Sequence, residues 1–596
     1  MGMELESQTI NAECIAVYPN KARIIVDKLE DFRVAGEKLS VGSYLRISDS
    51  EDCALIAIIE NFSIEIKEAG YKSEANVGVA HSGNNRRFVI EAVPLGFLDS
   101  DGVFSRGGNR LAIPPTKVSP ATREEINQIY SQIGKDRAFC FSKLSQDNHI
   151  SVPVDGDRLF NKHFAIVGAT GSGKSHTVSV LLQNAMKSKC FDEEKINNSH
   201  IIVFDMHGEY KTAFPEAQYL NVDSLYLPYW MMNEDELEDL LLETGDNQAY
   251  NQSSLFRRVV TRNKELKSGN DRVSFGTPVK FSASEVVNCL RNLSRETVSS
   301  SNKNCPSFVG VDGQKEFTGD QERFDCYFRK IYEFQTPKTN SVTSGVYRDG
   351  TLDKFISRLA GKIDDERLKF IFGNENDDES FESVFRNLVG YCENKVNMTL
   401  IDLSGVPFEV LSICVSLVSR LIFEYGYYLR RHDLLTEGET PFLILYEEAH
   451  KYVPKSNEAQ FKSCRKSIER IAKEGRKYGV SLGIVSQRPA ELSETIFSQC
   501  NNVIAMRLTN PEDQHYVKRL LPDSLGPIVD TLPTLAQGDA IIIGDAIVMP
   551  SLVHIDPCDP KPSSEDIRFL QEWKKPWVEP NIKRLISKWT KDQNEN

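Results

Sequence analysis

The spacing of hydrophobic positions changes character along the chain. Over residues 1 to about 100, short β-branched runs (AECIAVYP, KARIIVD, SYLRIS, ALIAIIENF, RRFVIEAVPLGFL) are separated by Gly, Asp, Ser and Asn. Such runs suit a half-buried pleated surface, and their roughly ten-residue spacing predicts a small β-barrel. From about 100 to 160 the pattern is mixed: Pro114, Pro115 and Pro120 precede the helix-period segment ATREEINQIYSQI, which reads as a connector packed on the next domain. From Phe164 onward the apolar runs become continuous: FAIVG, IIVFD, MTLIDL, FLILYEE, VSLGIVSQ and VIAMRL, each followed by a loop or a helical segment. Strands with no polar alternation are buried on both faces, so these predict a mainly parallel sheet covered by helices.

Nearly two hundred residues separate the second and third of these strands, too many for a bare loop. NEDELEDLLLE, SLFRRVVTRNKELK and TLDKFISRLAGKI have helical spacing, so residues 228–395 are expected to form an α-helical insertion, with one mobile loop at the Ser/Asn-rich break Ser299–Asn304. Near the end, AIIIGDAIVMPSLVHID reads as a hairpin turning at Gly544-Asp545, followed by a Trp- and Lys-containing tail that ends in KDQNEN. The expected divisions are thus a barrel (1–100), a connector with the first part of an α/β core (101–227), the helical insertion (228–395), the second part of the core (396–555) and a tail (556–596).

Composition narrows the class. The 596 residues carry 71 basic and 85 acidic side chains, a net charge of −14, with 40% hydrophobic content. That is ordinary globular usage and excludes collagen-like and wholly disordered chains. Twelve cysteines without a C-x-x-C pair suggest neither a disulfide framework nor a zinc site. The acidic balance argues against nucleic-acid binding over the whole surface, while leaving room for a local basic channel. Val410–Leu429, the most apolar stretch, contains Arg420 and Glu424, so it reads as a buried helix with no membrane role. MGMELESQTI has no basic-then-apolar signal, and a soluble cytoplasmic chain is expected.

Candidate chemistry begins at Gly168-Ala169-Thr170-Gly171-Ser172-Gly173-Lys174-Ser175, which fits G-x-x-x-x-G-K-[ST] with a strand before it and a helix, opening at His176, after it. Glycines let backbone N–H groups turn inward around phosphate oxygens at a helix N-terminus, where the helix dipole also favours anions. Lys174 is expected on the β- and γ-phosphates and the Ser175 hydroxyl on Mg²⁺, with Gly168 to His176 as the nucleotide-binding set and ATP as the ligand.

Such a loop needs carboxylates at a neighbouring strand end, and FLILY followed by Glu447-Glu448 supplies two. Glu447 is assigned to the metal shell and Glu448 to the base acting on the attacking water. Gln487 closes another strand, where its amide can sense the γ-phosphate or orient water. Asp205 closes IIVF ahead of His207 and Glu209; beside the P-loop strand it would serve the same centre, and capping of the following loop is the alternative. From Lys451 to Lys477 nine basic residues face three acidic ones. Lys462, Lys466, Arg470, Lys473 and Lys477 share one helical face, open to three readings: a solvated face, phosphate contact or a subunit interface. Arg476, at the end of that helix, is a candidate arginine finger for a neighbour's γ-phosphate.

Taken in order, HFAIVGATGSGKS, FDMHGEY, LIDLSG, LILYEEAHKYVP, IAKEGRKYGVSLGIVSQRP and SQCNNVIAMRLTNPEDQ resemble the HerA branch of the HerA/FtsK superfamily of hexameric P-loop ATPases. The β-rich start resembles that family's HAS barrel. The resemblance implies a RecA-like sheet interrupted by a helical bundle, a homohexameric ring, and double-stranded DNA passing through its pore. It carries the P-loop roles to Lys174 and Ser175, the catalytic carboxylate to Glu448, the sensor to Gln487 and the arginine finger to Arg476. Glu447 departs from the pattern, since much of the superfamily has Asp there. The resemblance also implies a separate nuclease or sirtuin-like effector partner, in anti-phage defence or DNA end processing, and no membrane. A ring that acts as an ATP-switched scaffold for its effector is the alternative.

Overall fold

A computed structural model of the chain describes residues 12–590 apart from 19, 27–32, 35–36, 49–52, 67–85, 108–115, 188–196, 243–248, 311–314, 339–340, 374–378, 392–394, 435–438, 457–460, 520–525 and 564–566. The N-terminal decapeptide and the KDQNEN end lie outside the described residues.

The barrel is six-stranded. Ala12–Tyr18, Lys21–Val26, Arg86–Leu98, Ala54–Ile66, Tyr44–Ser48 and Thr116–Pro120 pair in that order and close on the first, with Phe104–Arg106 added outside Arg86–Leu98. Alternate residues such as Ala22, Ile24 and Val26 fill its interior with Cys14, Leu55, Ala57 and Ile90. Ile56, Ile58, Val93 and Leu95 pack outward into the main core. Two-sided burial is why ALIAII shows no alternation. The closing strand lies beyond residue 100, where the barrel was expected to end. Its sequence, TKVSP, buries only Val118, so it gives almost no hydrophobic signal.

The rest of the presumed connector also belongs to a sheet. Ala138–Leu144 and Asp147–Asp155 form a hairpin whose first strand pairs with Ser551–Ile555. The resulting eleven-stranded sheet runs Asp147–Asp155, Ala138–Leu144, Ser551–Ile555, Asp539–Gly544, Asn502–Met506, Phe164–Val167, Val480–Ser486, Phe442–Tyr446, His200–Asp205, Met398–Asp402 and Gln218–Leu220. From Asn502–Met506 to Gln218–Leu220 every pairing is parallel. The strands before them in that order, at the other end of the sheet, are antiparallel. The expected C-terminal hairpin is present, with a six-residue connection after Gly544 in place of a tight turn.

Residues 228–395 are mainly helical, with helices Glu234–Leu241, Ala249–Ser268, Ala283–Arg295, Asp320–Arg329 and Asp353–Ile363 and a small ribbon of Thr297–Ser299 with Val342–Ser344. The Ser/Asn-rich break is a tight turn at the end of that ribbon: Ser299 N–H donates to the Cys305 carbonyl at 2.9 Å, and Asn302 N–H to that of Ser299 at 3.2 Å. The helix Phe408–Arg431 is buried over most of its length. No helix among the described residues is long and apolar enough to cross a membrane.

Candidate nucleotide site

The phosphate-binding loop is pinned from both sides. Gly168 N–H donates to the Ser486 carbonyl at 3.3 Å and Ala169 N–H to that of Arg507 at 2.7 Å, so the flanking strands fix where the loop starts. Gly171 and Gly173 have φ of +73° and +109°, a left-handed region that side chains rarely adopt. The helix Lys174–Met186 follows at once, presenting its free N–H groups to the loop.

Lys174 is buried, and its ammonium lies 3.3 Å from the Ala169 carbonyl. Burial lowers its pKa, and the carboxylates of Glu448, Glu447 and Glu209 act in the opposite direction. Among the described residues no side chain bonds the Ser175 hydroxyl. His176 faces elsewhere: Nε2 lies 3.0 Å from the Asp556 carbonyl and Nδ1 lies 3.2 Å from Cys558 Sγ. It holds the C-terminal segment against the helix and does not extend the loop.

A polar chain runs from the loop to the strand-end carboxylates. Thr170 Oγ1 donates to Gln487 Oε1 at 2.6 Å, and Gln487 Nε2 donates to Glu448 Oε1 at 2.5 Å. Gln487 thus joins loop and carboxylate, as a sensor must. Glu448 has φ of +47°, unusual for a side-chain-bearing residue and costing about 1–3 kcal/mol. It is 3% exposed, and its second oxygen is buried with no hydrogen-bond partner; His450 Nδ1 is 3.3 Å away but out of line for donation. Burial lowers the His450 pKa against the pull of Glu448, which favours neutral imidazole.

Glu447 is differently engaged. Its Oε2 accepts from Met206 N–H at 3.1 Å and its Oε1 from the Tyr210 hydroxyl at 3.3 Å. Burial raises its pKa well above the carboxylate range, and Asp205 and Glu209 push it the same way. In this geometry Glu447 braces the loop after His200–Asp205, whereas a metal ligand had been expected. Asp205 caps that loop: Oδ1 accepts from the N–H groups of His207, Gly208 and Glu209 at 3.2, 2.9 and 3.2 Å, and Oδ2 from that of Tyr210 at 3.0 Å. Its strand is not beside the P-loop strand; Val480–Ser486 and Phe442–Tyr446 lie between them.

Among the described residues no three His, Cys, Asp or Glu side chains form a metal cage. A Mg²⁺ that arrives with nucleotide fits nonetheless. The Ser175 hydroxyl is unengaged, the buried Glu448 Oε2 lacks a donor, and one lysine faces several carboxylates.

Arg476 lies in the 3₁₀ turn Gly475–Tyr478, exposed, paired with no carboxylate among the described residues. The turn leads into Val480–Ser486, whose other end carries Gln487. Seven residues at about 3.3 Å each put Arg476 roughly 23 Å from its own phosphate loop. On the basic face, Lys466 pairs with Asp235, Arg470 approaches Glu474 at 4.0 Å and Lys473 meets Glu469 at 3.4 Å, so much of that charge is compensated within the chain.

Two residues given no role from sequence belong to the site. Glu209 exerts charge on Lys174 and Glu447, and its Oε2 is buried without a partner. Arg507 supplies the carbonyl that holds Ala169, and its Nε is likewise buried and unpaired. Both stand in runs quoted above, FDMHGEY and VIAMRL, but only the strand order brings them to the loop.

A phosphate loop at one strand end, a strand inserted beside it, and a carboxylate on the strand beyond define a RecA-like P-loop ATPase. A family profile described as the central domain of helicase HerA matches residues 139–422. The DNA double-strand break repair helicase HerA of Sulfurisphaera tokodaii is 27% identical over 561 residues, covering 90% of this chain and 93% of that one. The HerA helicase of Sulfolobus acidocaldarius is 28% identical over 515 residues, covering 85% and 86%. Among solved structures, VirB4 of Thermoanaerobacter pseudethanolicus aligns with a TM-score of 0.44 at 13% identity, over 72% of this chain and 98% of that one. The chain belongs to the HerA family of P-loop ATPases.

Proposed function

We propose that the chain is an ATP-driven translocase of double-stranded DNA, working as a homohexameric ring with a separate nuclease or sirtuin-like effector, in DNA end processing or anti-phage defence. The carrying observation is that the site holds a loop, a lysine, a sensor and a base, while Arg476 stands at the far end of the sheet, free for a neighbour's site. The relatives named as DNA double-strand break repair helicases support duplex DNA as the track.

In the hydrolytic step Glu448 Oε2 accepts the proton of the attacking water, and Gln487, held between Thr170 and Glu448, orients that water. Lys174 leaves the Ala169 carbonyl for the phosphates, where its charge offsets what develops at the γ-phosphoryl group. Mg²⁺, held by Ser175 and the phosphates, supplies charge neutralisation across the β- and γ-oxygens. Arg476 of an adjacent subunit completes that charge, so turnover requires adjacency. The barrel, which has no phosphate loop of its own, serves as the effector-docking collar.

The test is the ATPase rate of the purified chain with duplex, single-stranded or no DNA. Duplex stimulation above single-strand stimulation is expected. Preference for single strands would replace this reading with a single-strand helicase, and DNA-independent turnover would favour the effector scaffold.

A further inference from the structure

After the last sheet strand, Ser551–Ile555, the chain is strapped across the nucleotide site. The Asp556 carbonyl and Cys558 Sγ hold His176, next to Ser175; the Pro560 carbonyl accepts from Gln183 Nε2 at 2.8 Å, the Lys561 carbonyl from Thr212 Oγ1 at 2.9 Å, and Ser563 N–H donates to the Glu209 carbonyl at 2.9 Å. The strap therefore spans the P-loop helix and the loop that carries Glu209.

Beyond it, residues 567–590 expose nearly everything apolar they contain. Trp573, Trp577 and Trp589 are 74, 84 and 79% exposed, and Ile582, Leu585, Ile586 and Trp589 form one stripe on the helix Ile582–Thr590. A nine-residue helix does not hold itself together in water and needs a surface to lie on. Phe569 and the three tryptophans carry roughly 600–1,000 Å² of ring surface, of the order of one partner's share of a standard protein interface.

We infer that this tail docks on a second copy of the chain, the neighbour in the ring, and straps adjacent subunits together from the nucleotide site outward. Two observations favour that occupant. Residues 567–590 hold six basic and two acidic side chains, +4 within a chain of −14, so the remaining surface is −18 and electrostatically complementary. The strap also leaves the chain at the phosphate loop, the edge a neighbour must approach to deliver Arg476; to that extent the inference rests on the ring reading above.

Three of the four tryptophans lie in the tail and the fourth, Trp230, is buried, so intrinsic fluorescence reports tail burial directly. On raising the concentration of the full chain, the emission maximum should shift to the blue and acrylamide quenching should fall in step with the mass measured by light scattering. A Trp573→Ser/Trp577→Ser/Trp589→Ser variant, altered only at exposed positions, should need at least tenfold more protein to assemble. Assembly of this variant at the parent's concentration, or tryptophans that stay quenchable in the assembled parent, would overturn the tail assignment and leave the ring reading standing. A parent that stays single at every concentration would sink both. Tryptophan protection by duplex DNA or by anionic phospholipid vesicles, without assembly, would assign the tail to those partners instead.

Discussion

Glu448 combines a left-handed backbone, near-complete burial and one oxygen with no donor, which is expensive in a group that serves only as structure. Glu448→Gln keeps the shape and the acceptor for Gln487 while removing the proton acceptor. Phosphate release should fall by about 10²–10⁴-fold, with ATP affinity, followed by a fluorescent analogue, changed only a few-fold; unchanged turnover would remove Glu448 from the base role. His163 gives a pH prediction. Its Nδ1 accepts from Leu482 N–H at 3.1 Å, and its Nε2 faces the Ala472 carbonyl at 3.2 Å, so the neutral ring fits. Burial lowers its pKa from 6.5 to about 4. Between those values the unfolded chain binds the proton and the folded chain does not, so stability is lost as pH falls from 6.5 towards 4, by up to about 3 kcal/mol. His163→Gln should be less stable at pH 7 and show a flatter loss over that window, read from urea midpoints.

At the scale of elements, the sequence was most legible where burial is two-sided. FAIV, IIVFD and FLILY could only be central strands, and the glycine loop, Glu448 and Gln487 followed from their ends. Legibility failed where hydrophobicity does not report pairing: TKVSP closes a barrel with one buried residue, and AFCFSKL joins the sheet at its antiparallel end. It failed also over strand order. Asp205 and Glu447 each end a strand, but only the order of strands shows that they meet each other around one loop and stand back from the phosphates. The insertion is tied to the core by another feature visible only in part. Arg420, which interrupts the apolar helix, donates through Nε and Nη2 to the fully buried Glu236 at 2.9–3.2 Å and to the Met231 carbonyl at 2.7 Å. Arg420→Met should cost about 3–5 kcal/mol by stranding that carboxylate, and adding Glu236→Leu should recover most of the loss. Urea unfolding with limited proteolysis of the insertion reads both; a double variant as unstable as the single one would show that packing, not stranded charge, is at issue.

At the scale of the whole molecule, catalysis and assembly meet in one geometric fact: the sheet separates Arg476 from its own phosphate loop by a strand's length, while the barrel is moored at the antiparallel end, where Arg106 donates to the Val548 and Gly544 carbonyls at 2.6 and 2.8 Å. Neither the barrel nor the insertion offers the site a cis arginine in place of Arg476, so the missing charge must come from the next copy. Arg476→Ala should therefore lower turnover by about 10³-fold or more without weakening ATP binding, and Lys174→Ala should be dead for its own reason. Mixed and reassembled, the two should complement, because a subunit with an intact lysine can sit beside one with an intact arginine. In a random equal mixture about a quarter of the sites meet both conditions, so independent sites should regain roughly a quarter of parental turnover. Strict coordination around the ring would lower that figure but not to the level of either parent. Native mass spectrometry of differently tagged chains confirms that the rings are mixed. If verified mixed rings are as inactive as the parents, Arg476 does not act across the interface, and the trans completion of the site falls with it.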